Sequence, residues 1–331
     1  AEALGPAQLH RLPDTRQAEG FTGVNSGVEV LVLHVSECLE MARGWKARFG
    51  AGDVEPHHTT VAPANGELGD LETAGRGTHG RADRVKYACC TFRGHVVAVD
   101  GNDGSVLWDS YAIPNPPASV GTTAIGTNML GPSGAPVWTS PTIDEEKNLL
   151  IFGTGENYSS PADSNSDAVI AVRLDTGERL WSRQTFPGDA WNVACMMADN
   201  PNCPGEDGPD YDQASSPLLI DVGNGETRVV AGQKDGRVFS LDWETGQTKA
   251  WEVRLGRGSI QGGVHFGMAA AGSTVFVPIN DMNDTRNGEW LDPETARPGI
   301  SAVDAATGEV LWSHVQDNVC GEGRPFCDPG I

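Results

Sequence analysis

Residues 96–108 read Val-Val-Ala-Val-Asp-Gly-Asn-Asp-Gly-Ser-Val-Leu-Trp, and the same pattern returns three times. It recurs as VIAVRLDTGERLW at 169–181, VFSLDWETGQTKAW at 238–251 and ISAVDAATGEVLW at 300–312. Each copy is a short β-rich run, a turn carrying glycine, and a second run ending in tryptophan. The closing residues Trp108, Trp181, Trp251 and Trp312 are 73, 70 and 61 residues apart. Self-similarity at such spacing marks a repeat architecture. Short alternating strands with glycine turns predict four-stranded sheets arranged radially, an all-β propeller with about four blades. A tryptophan at one fixed place per repeat supplies a large apolar face for the seam between sheets.

The strands predicted for the second repeat are VWTSPTID (137–144), NLLIFGTG (148–155), DAVIAVRL (167–174) and ERLWSRQT (178–185). The third runs from SSPLLIDV through TRVVAGQK and RVFSLDWE to QTKAWEVR, and the fourth from GGVHFGMAAAG to EVLWSHV. Long connections at 109–136 and 186–214 read as loops, the usual seat of ligand-binding groups. Residues 1–85 lack the repeat and read as an irregular leader, with a strand running into an amphipathic helix expected over 28–50; residues 86–331 read as a partial propeller. Four repeats are few for such a ring, so the chain is expected to be part of a longer protein. Open sheet faces would then favour self-association.

The net charge of −22 opposes nucleic-acid binding, which requires a basic surface. No apolar run reaches the length of a membrane span. Among seven cysteines, Cys195 with Cys203 and Cys320 with Cys327 flank short loops, a pattern of loop-clipping pairs in an oxidising compartment. Cys89 and Cys90 are adjacent, and Cys38 is left over. No CxxC pair supports zinc, and no CxxCH supports an attached haem.

The repeat V-x-A-x-D-x-x-T-G-x-x-x-W resembles that of the pyrroloquinoline quinone (PQQ) dehydrogenases. So do the segments YACCTFRGHVVAVD (87–100), NMLGPSGAPVWTSPTID (128–144), FGTGENYSSP (152–161), GDAWNVAC (188–195), GPDYD (208–212) and GQKDGRVFSLD (232–242). The resemblance covers roughly 87–331 and looks closest to the branch of polyvinyl-alcohol dehydrogenase. It implies a propeller, eight-bladed in the family, that oxidises alcohols in the periplasm or outside the cell with PQQ and Ca²⁺. Secondary or polymeric alcohols are the implied substrates, and a separate cytochrome c the electron acceptor. The alternative is a PQQ-like propeller without chemistry that binds proteins or ligands, since cofactor-free scaffolds share the repeat.

Residue by residue, the resemblance puts Trp138 under the quinone ring, where an aromatic face can stack. Glu156 and Asn157 fall at the calcium turn, offering the hard oxygen donors that ion prefers. Lys234 matches the basic residue facing the quinone oxygens, and Asn280 a further amide contact. Asp189 and Asn192 lie in the catalytic-base loop. Asn192 stands where related enzymes have aspartate, and an amide is no base, so Asp189 is the candidate. Cys89 and Cys90, with Arg93 just after them, would lie beside the cofactor, the cysteines as a vicinal disulfide. His265 reads as a structural histidine near the substrate cavity.

Overall fold

The computed structural model describes residues 28–31, 90–100, 103–137, 139–197, 199–281 and 297–317. Seventeen strands are found, with no α-helix among the described residues. The first sheet contains β1 (Val28–Leu31), β2 (His95–Asp100) and β3 (Val106–Tyr111), in that order. The second is β6 (Thr142–Asp144), β7 (Leu149–Gly153), β8 (Ala168–Arg173) and β9 (Arg179–Gln184). The third is β10 (Leu218–Gly223), β11 (Glu226–Gly232), β12 (Arg237–Asp242) and β13 (Thr248–Arg254). The fourth is β14 (Ala269–Ala271), β15 (Thr274–Ile279), β16 (Gly299–Asp304) and β17 (Val310–Val315). All are antiparallel meanders, the propeller blades that the repeat predicts.

Two features depart from the sequence reading. The connection 109–136 carries a two-stranded ribbon, β4 (Ala118–Thr122) against β5 (Asn128–Gly131). Its Ser-, Gly- and Thr-rich sequence has no apolar alternation to announce it, and β4 is exposed along its whole length. Strand β6 begins only at Thr142, because Pro141 has no N–H to give a ladder. The helix expected within 28–50 lies outside the described residues, and the strand expected before it is β1. It pairs with β2 from Val28 opposite Asp100 to Leu31 opposite Val97, so the leader completes part of the first sheet.

Each repeat builds one reusable joint. In every copy a β-bulge interrupts the pairing of the last two strands, beside Ala98, Ala171, Phe239 and Ala302. The turn between those strands closes with a glycine N–H donating back to a carbonyl: Gly104 to Asp100, Gly177 to Arg173, Gly246 to Asp242 and Gly308 to Asp304. These glycines have φ of +74°, +69°, +67° and +76°, a left-handed conformation that a Cβ disfavours. The closing tryptophan of one sheet then lies on the glycine turn of the next. Trp108 covers Gly177, Trp181 covers Gly246 and Trp251 covers Gly308, so closely that a methyl on any of these three glycines would overlap the ring. Each indole N–H donates to the same turn, to the carbonyls of Leu174 (3.1 Å), Trp243 (2.9 Å) and Ala305 (2.9 Å).

The core is accordingly divided into three seams between successive sheets. Val96 and Trp108 meet Leu150, Phe152, Ile170 and Val172. Leu149, Ile151, Val169, Ala171 and Trp181 meet Val229, Ala231, Phe239 and Leu241. Val230, Val238 and Trp251 meet Val275, Val277, Ile279 and Val303. Strand β8 is buried on both faces because its alternate residues serve two seams. Burying one tryptophan of roughly 200 Å² is worth about 5 kcal/mol before the loss of entropy, so the indoles weigh heavily in each joint.

Gly246→Ala should therefore lower stability by about 2–5 kcal/mol, from backbone strain plus the clash with Trp181. Gly104→Ala, with a similar φ and open space around it, should cost only the strain, about 1–2 kcal/mol. Urea midpoints compare the two; equal losses would mean that the indole does not rest on the turn.

Candidate functional site

The inner ends of the sheets converge through their backbones. Bridges run from Arg93 to Gly134, from Gly134 to Asn157, from Asn157 to Ala190, and separately from Gly263 to Asn280. The second strand of each of three sheets leads into the region: β7 to Glu156, β11 to Lys234 and β15 to Asn280. The segment entering β10 brings Asp210 and Asp212. Asp210 has φ of +62° in this irregular connection, and both carboxylates reach Lys234.

Glu156, Asp210 and Asp212 form a buried triad, with one carboxylate oxygen from each lying within 4.8 Å of the others. Lys234 is buried among them, its Nζ 2.5 Å from Asp212 and 3.2 Å from Asp210. Asp212 also accepts the Glu156 backbone N–H at 3.0 Å, an approach open only because residue 155 is glycine and leaves the space free. Burial and the neighbouring Asp212 push Glu156 well above the usual carboxylate range, and the same causes act on Asp210. Asp212 goes the other way. Burial works against its charge, but Lys234 and a hydrogen bond from Glu156 hold it below its ordinary value. Lys234, despite its burial, is held charged by Asp212, Asp210 and Glu156. Two of the three acids around this ammonium, Glu156 and Asp210, thus keep protons that a cation could replace.

A second layer positions this triad. Asp189, fully buried, accepts the backbone N–H groups of Asp210 (3.3 Å) and Tyr211 (2.8 Å). Gly208 leaves the room for its carboxylate. Burial raises Asp189 to about 6, against the pull of those two N–H donors. Its oxygens thus orient the strand that carries Asp210 and Asp212. Asn192 caps a 3₁₀ turn, Val193–Met196, and its amide donates to the carbonyls of Tyr158 and Asn202, both at 3.0 Å. The turn leads into the Cys195–Cys203 disulfide, which clips this loop as expected.

Asn157 adjoins Glu156, yet its amide is taken up locally. It donates to Ser133 O at 2.9 Å and accepts the Asp163 N–H at 2.7 Å. Arg93 lies over the Tyr111 ring at 3.8 Å and donates to the carbonyls of Ile113 and Pro114, bracing the exit from β3. Asn280 donates to Gln261 O at 2.6 Å and exchanges backbone hydrogen bonds with Gly263, whose backbone packs on the Lys234 carbonyl. His265 stacks on Phe266 with centroids 3.9 Å apart; burial and the Lys234 charge lower its pKa to about 4, so it is neutral at physiological pH. Cys90 is disulfide-bonded and buried, its Sγ 3.9 Å from the Tyr158 carbonyl. Trp138, Cys89, Cys320 and Cys327 lie outside the described residues, as does Cys38.

Asp210, Asp212 and Asp167 are the site residues that sequence reasoning did not single out. The Asp-x-Asp alternation in GPDYD was the available signal for the first two. Asp167 has φ of +47°, at the place where the third sheet has Gly236, and both its carboxylate oxygens are buried without a hydrogen-bond partner. Burial, then Asp189, drives it well above the carboxylate range, so it is neutral.

Lys234→Met should cost about 3–5 kcal/mol at pH 8, where removal of the ammonium leaves Asp212 a buried, uncompensated charge. The deficit should shrink towards pH 5, as the remaining acids take up protons. Melting temperatures of both proteins at the two pH values test this, and a deficit independent of pH would contradict it.

Residues 79–204 match the family described as PQQ, the β-propeller domain of glucose/ethanol/alcohol dehydrogenases. The chain is 33% identical over 256 residues to a polyvinylalcohol dehydrogenase of a Pseudomonas species, a match spanning 77% of this chain and 38% of that protein. It is 32% identical over 255 residues to the polyvinylalcohol dehydrogenase of Sphingopyxis, with 76% and 38% covered. The chain thus spans well under half the length of these curated relatives. Among solved structures, the quinohemoprotein alcohol dehydrogenase of Comamonas testosteroni aligns with 19% identity and a TM-score of 0.46, over 69% of this chain and 44% of that one. The repeat, the sheets and the sequence similarity agree for the matched residues: 79–204 are similar to the PQQ β-propeller domain of the glucose, ethanol and alcohol dehydrogenases.

Proposed function

We propose that the chain carries the catalytic face of a PQQ-dependent alcohol dehydrogenase that uses Ca²⁺. The observation supporting this most directly is the buried triad Glu156, Asp210 and Asp212 around Lys234, with more acids than neighbouring cations to balance them. Its donors are hard oxygens, which suit Ca²⁺. Bound there, PQQ supplies the two-electron acceptor and the cation a Lewis acid.

The protein's own groups divide the remaining tasks. Glu156 and Asp210 give up their protons and hold the cation. Lys234 stabilises negative charge beside it. Asp212, the one acid of the triad whose pKa falls, is ionised at neutral pH and contributes a fixed negative charge, paired with Lys234, to the cation site. Asp189 orients Asp210 and Asp212 through their backbone. Trp138 remains the proposed stacking platform. The neutral His265 and the exposed Phe266, strained at φ of +74°, border the Lys234 loop and suit the uncharged carbon chain of an alcohol. The similarity to polyvinylalcohol dehydrogenases supports secondary or polymeric alcohols as substrates, and a separate cytochrome c is the proposed electron acceptor. The Cys195–Cys203 disulfide suits a periplasmic or secreted setting.

A titration of the chain with PQQ, with and without Ca²⁺, followed by tryptophan fluorescence, tests the reading. Saturable quenching that requires Ca²⁺ is expected, and Asp212→Asn should weaken it at least about tenfold. No quenching in a folded sample would overturn it. Ca²⁺ binding should also release protons and weaken as pH falls from 8 to 5, since Glu156 and Asp210 must ionise to bind it. Calorimetry in buffers of different ionisation heat reads the proton count, and no release would remove these two acids from the ligand set.

A further inference from the structure

Between Asp189 and Asp212 the chain leaves the site and returns to it, and the two arms of this loop are stitched together. At the foot, the Gly208 N–H donates to the Ala190 carbonyl at 3.0 Å, and the Asp189 carboxylate accepts the N–H groups of Asp210 and Tyr211. The outgoing arm is anchored beside Glu156, where Asn157 bridges to Ala190 and its carbonyl accepts the Trp191 N–H at 2.8 Å. The returning arm is anchored farther out. Glu206 accepts the Ala162 N–H at 3.1 Å, and the Ser160 hydroxyl accepts the Gly205 N–H at 3.0 Å. Above the foot, two cross-links join the arms: the Asn192 amide on the Asn202 carbonyl, and the Cys195–Cys203 disulfide. Both cysteines are half-buried, and Met196 and Met197 beside Cys195 are exposed, so a small reductant can reach the bond.

We infer that the Cys195–Cys203 bond is a redox-sensitive clamp on the acid triad, which closed holds Asp210 in place and open lets it leave. The inference deepens the function proposed above and rests on that reading for the cation alone. Reduction breaks the S–S bond. A dithiol supplies two electrons and two protons, closes to its own disulfide and leaves two thiols on the loop. The cross-link spans a separation of eight residues, and its loss returns to the arms the chain entropy that it had removed. Each remaining hydrogen bond between the arms is small beside that entropy. Asp212 keeps ties of its own, since its carbonyl accepts the Lys234 N–H and its carboxylate the Glu156 N–H, both at 3.0 Å. Loosening therefore falls first on Asp210, which the Asp189 carboxylate holds by its backbone.

Native-state hydrogen exchange of the full chain, without added metal, tests the clamp. In the double variant Cys195→Ser, Cys203→Ser, the amides of Asp210 and Tyr211 should exchange at least about tenfold faster than in the wild type, while those of β8 and β12 keep their rates. A dithiol added to the wild type should give the same change and reoxidation should reverse it, whereas the double variant should not respond at these two amides. Calorimetry with Ca²⁺ should show binding at least about tenfold weaker in the open state. Unchanged exchange at Asp210 and Tyr211 would overturn the clamp. So would acceleration spread evenly over β8 and β12, which marks a general loss of stability, or Ca²⁺ bound equally well in both states. Ca²⁺ bound in neither state would refute the cation site, while faster exchange at the two amides would still uphold the clamp.

Discussion

An indole resting on a glycine turn is the contact on which this molecule depends. Sheet-to-sheet packing is otherwise permissive, since Val, Ile, Leu and Ala of two faces can slide past one another with little loss. The tryptophan removes that freedom. Its ring fills the space that only a residue without Cβ leaves open, and its N–H finds one carbonyl of the neighbouring turn. The bulge beside each tryptophan aims the side chain, and the left-handed glycine shapes the surface that receives it. Sequence spacing therefore converts into a fixed angle between sheets.

That fixed angle brings separate strand ends to one place. Glu156 and Lys234 come from different sheets, yet both meet Asp212, which belongs to the segment joining those sheets. The site is thus built across a joint. Its polar interior is costly, because three acids and a lysine lose most of their hydration there. The cost is offset by direct pairing, by backbone N–H donors and by protons retained on Glu156 and Asp210. Asp189 contributes from behind, spending its carboxylate on the backbone of the strand in front.

Much of this was legible in the chain. Strands β7, β8 and β9 lie inside the segments read from alternation, because the apolar period and the glycine turns state the same answer. The ribbon β4–β5 was not legible, having neither a buried face nor an apolar rhythm. Glu156 and Lys234 could be placed because GTGEN and QKDG, which follow the second strand of their repeats, resemble segments of the family. Asp210 and Asp212 sit in an irregular connection, where only their two-residue spacing offered a hint. At Asn157 and Asn192 the amide, with both donor and acceptor, contributes hydrogen bonds to the shape of its own loop, which the sequence alone did not announce.

The joints also decide how the molecule loosens. Among the described residues each seam joins sheets that are neighbours in chain order, so opening proceeds one seam at a time. Glu156, Asp210, Asp212 and Lys234 belong to the two middle sheets and to the segment between them. The seams to the first and fourth sheets can open while the acids stay assembled. In hydrogen exchange, the amides of β7, β8, β11 and β12 would be the slow core of the chain, and the site shares their protection.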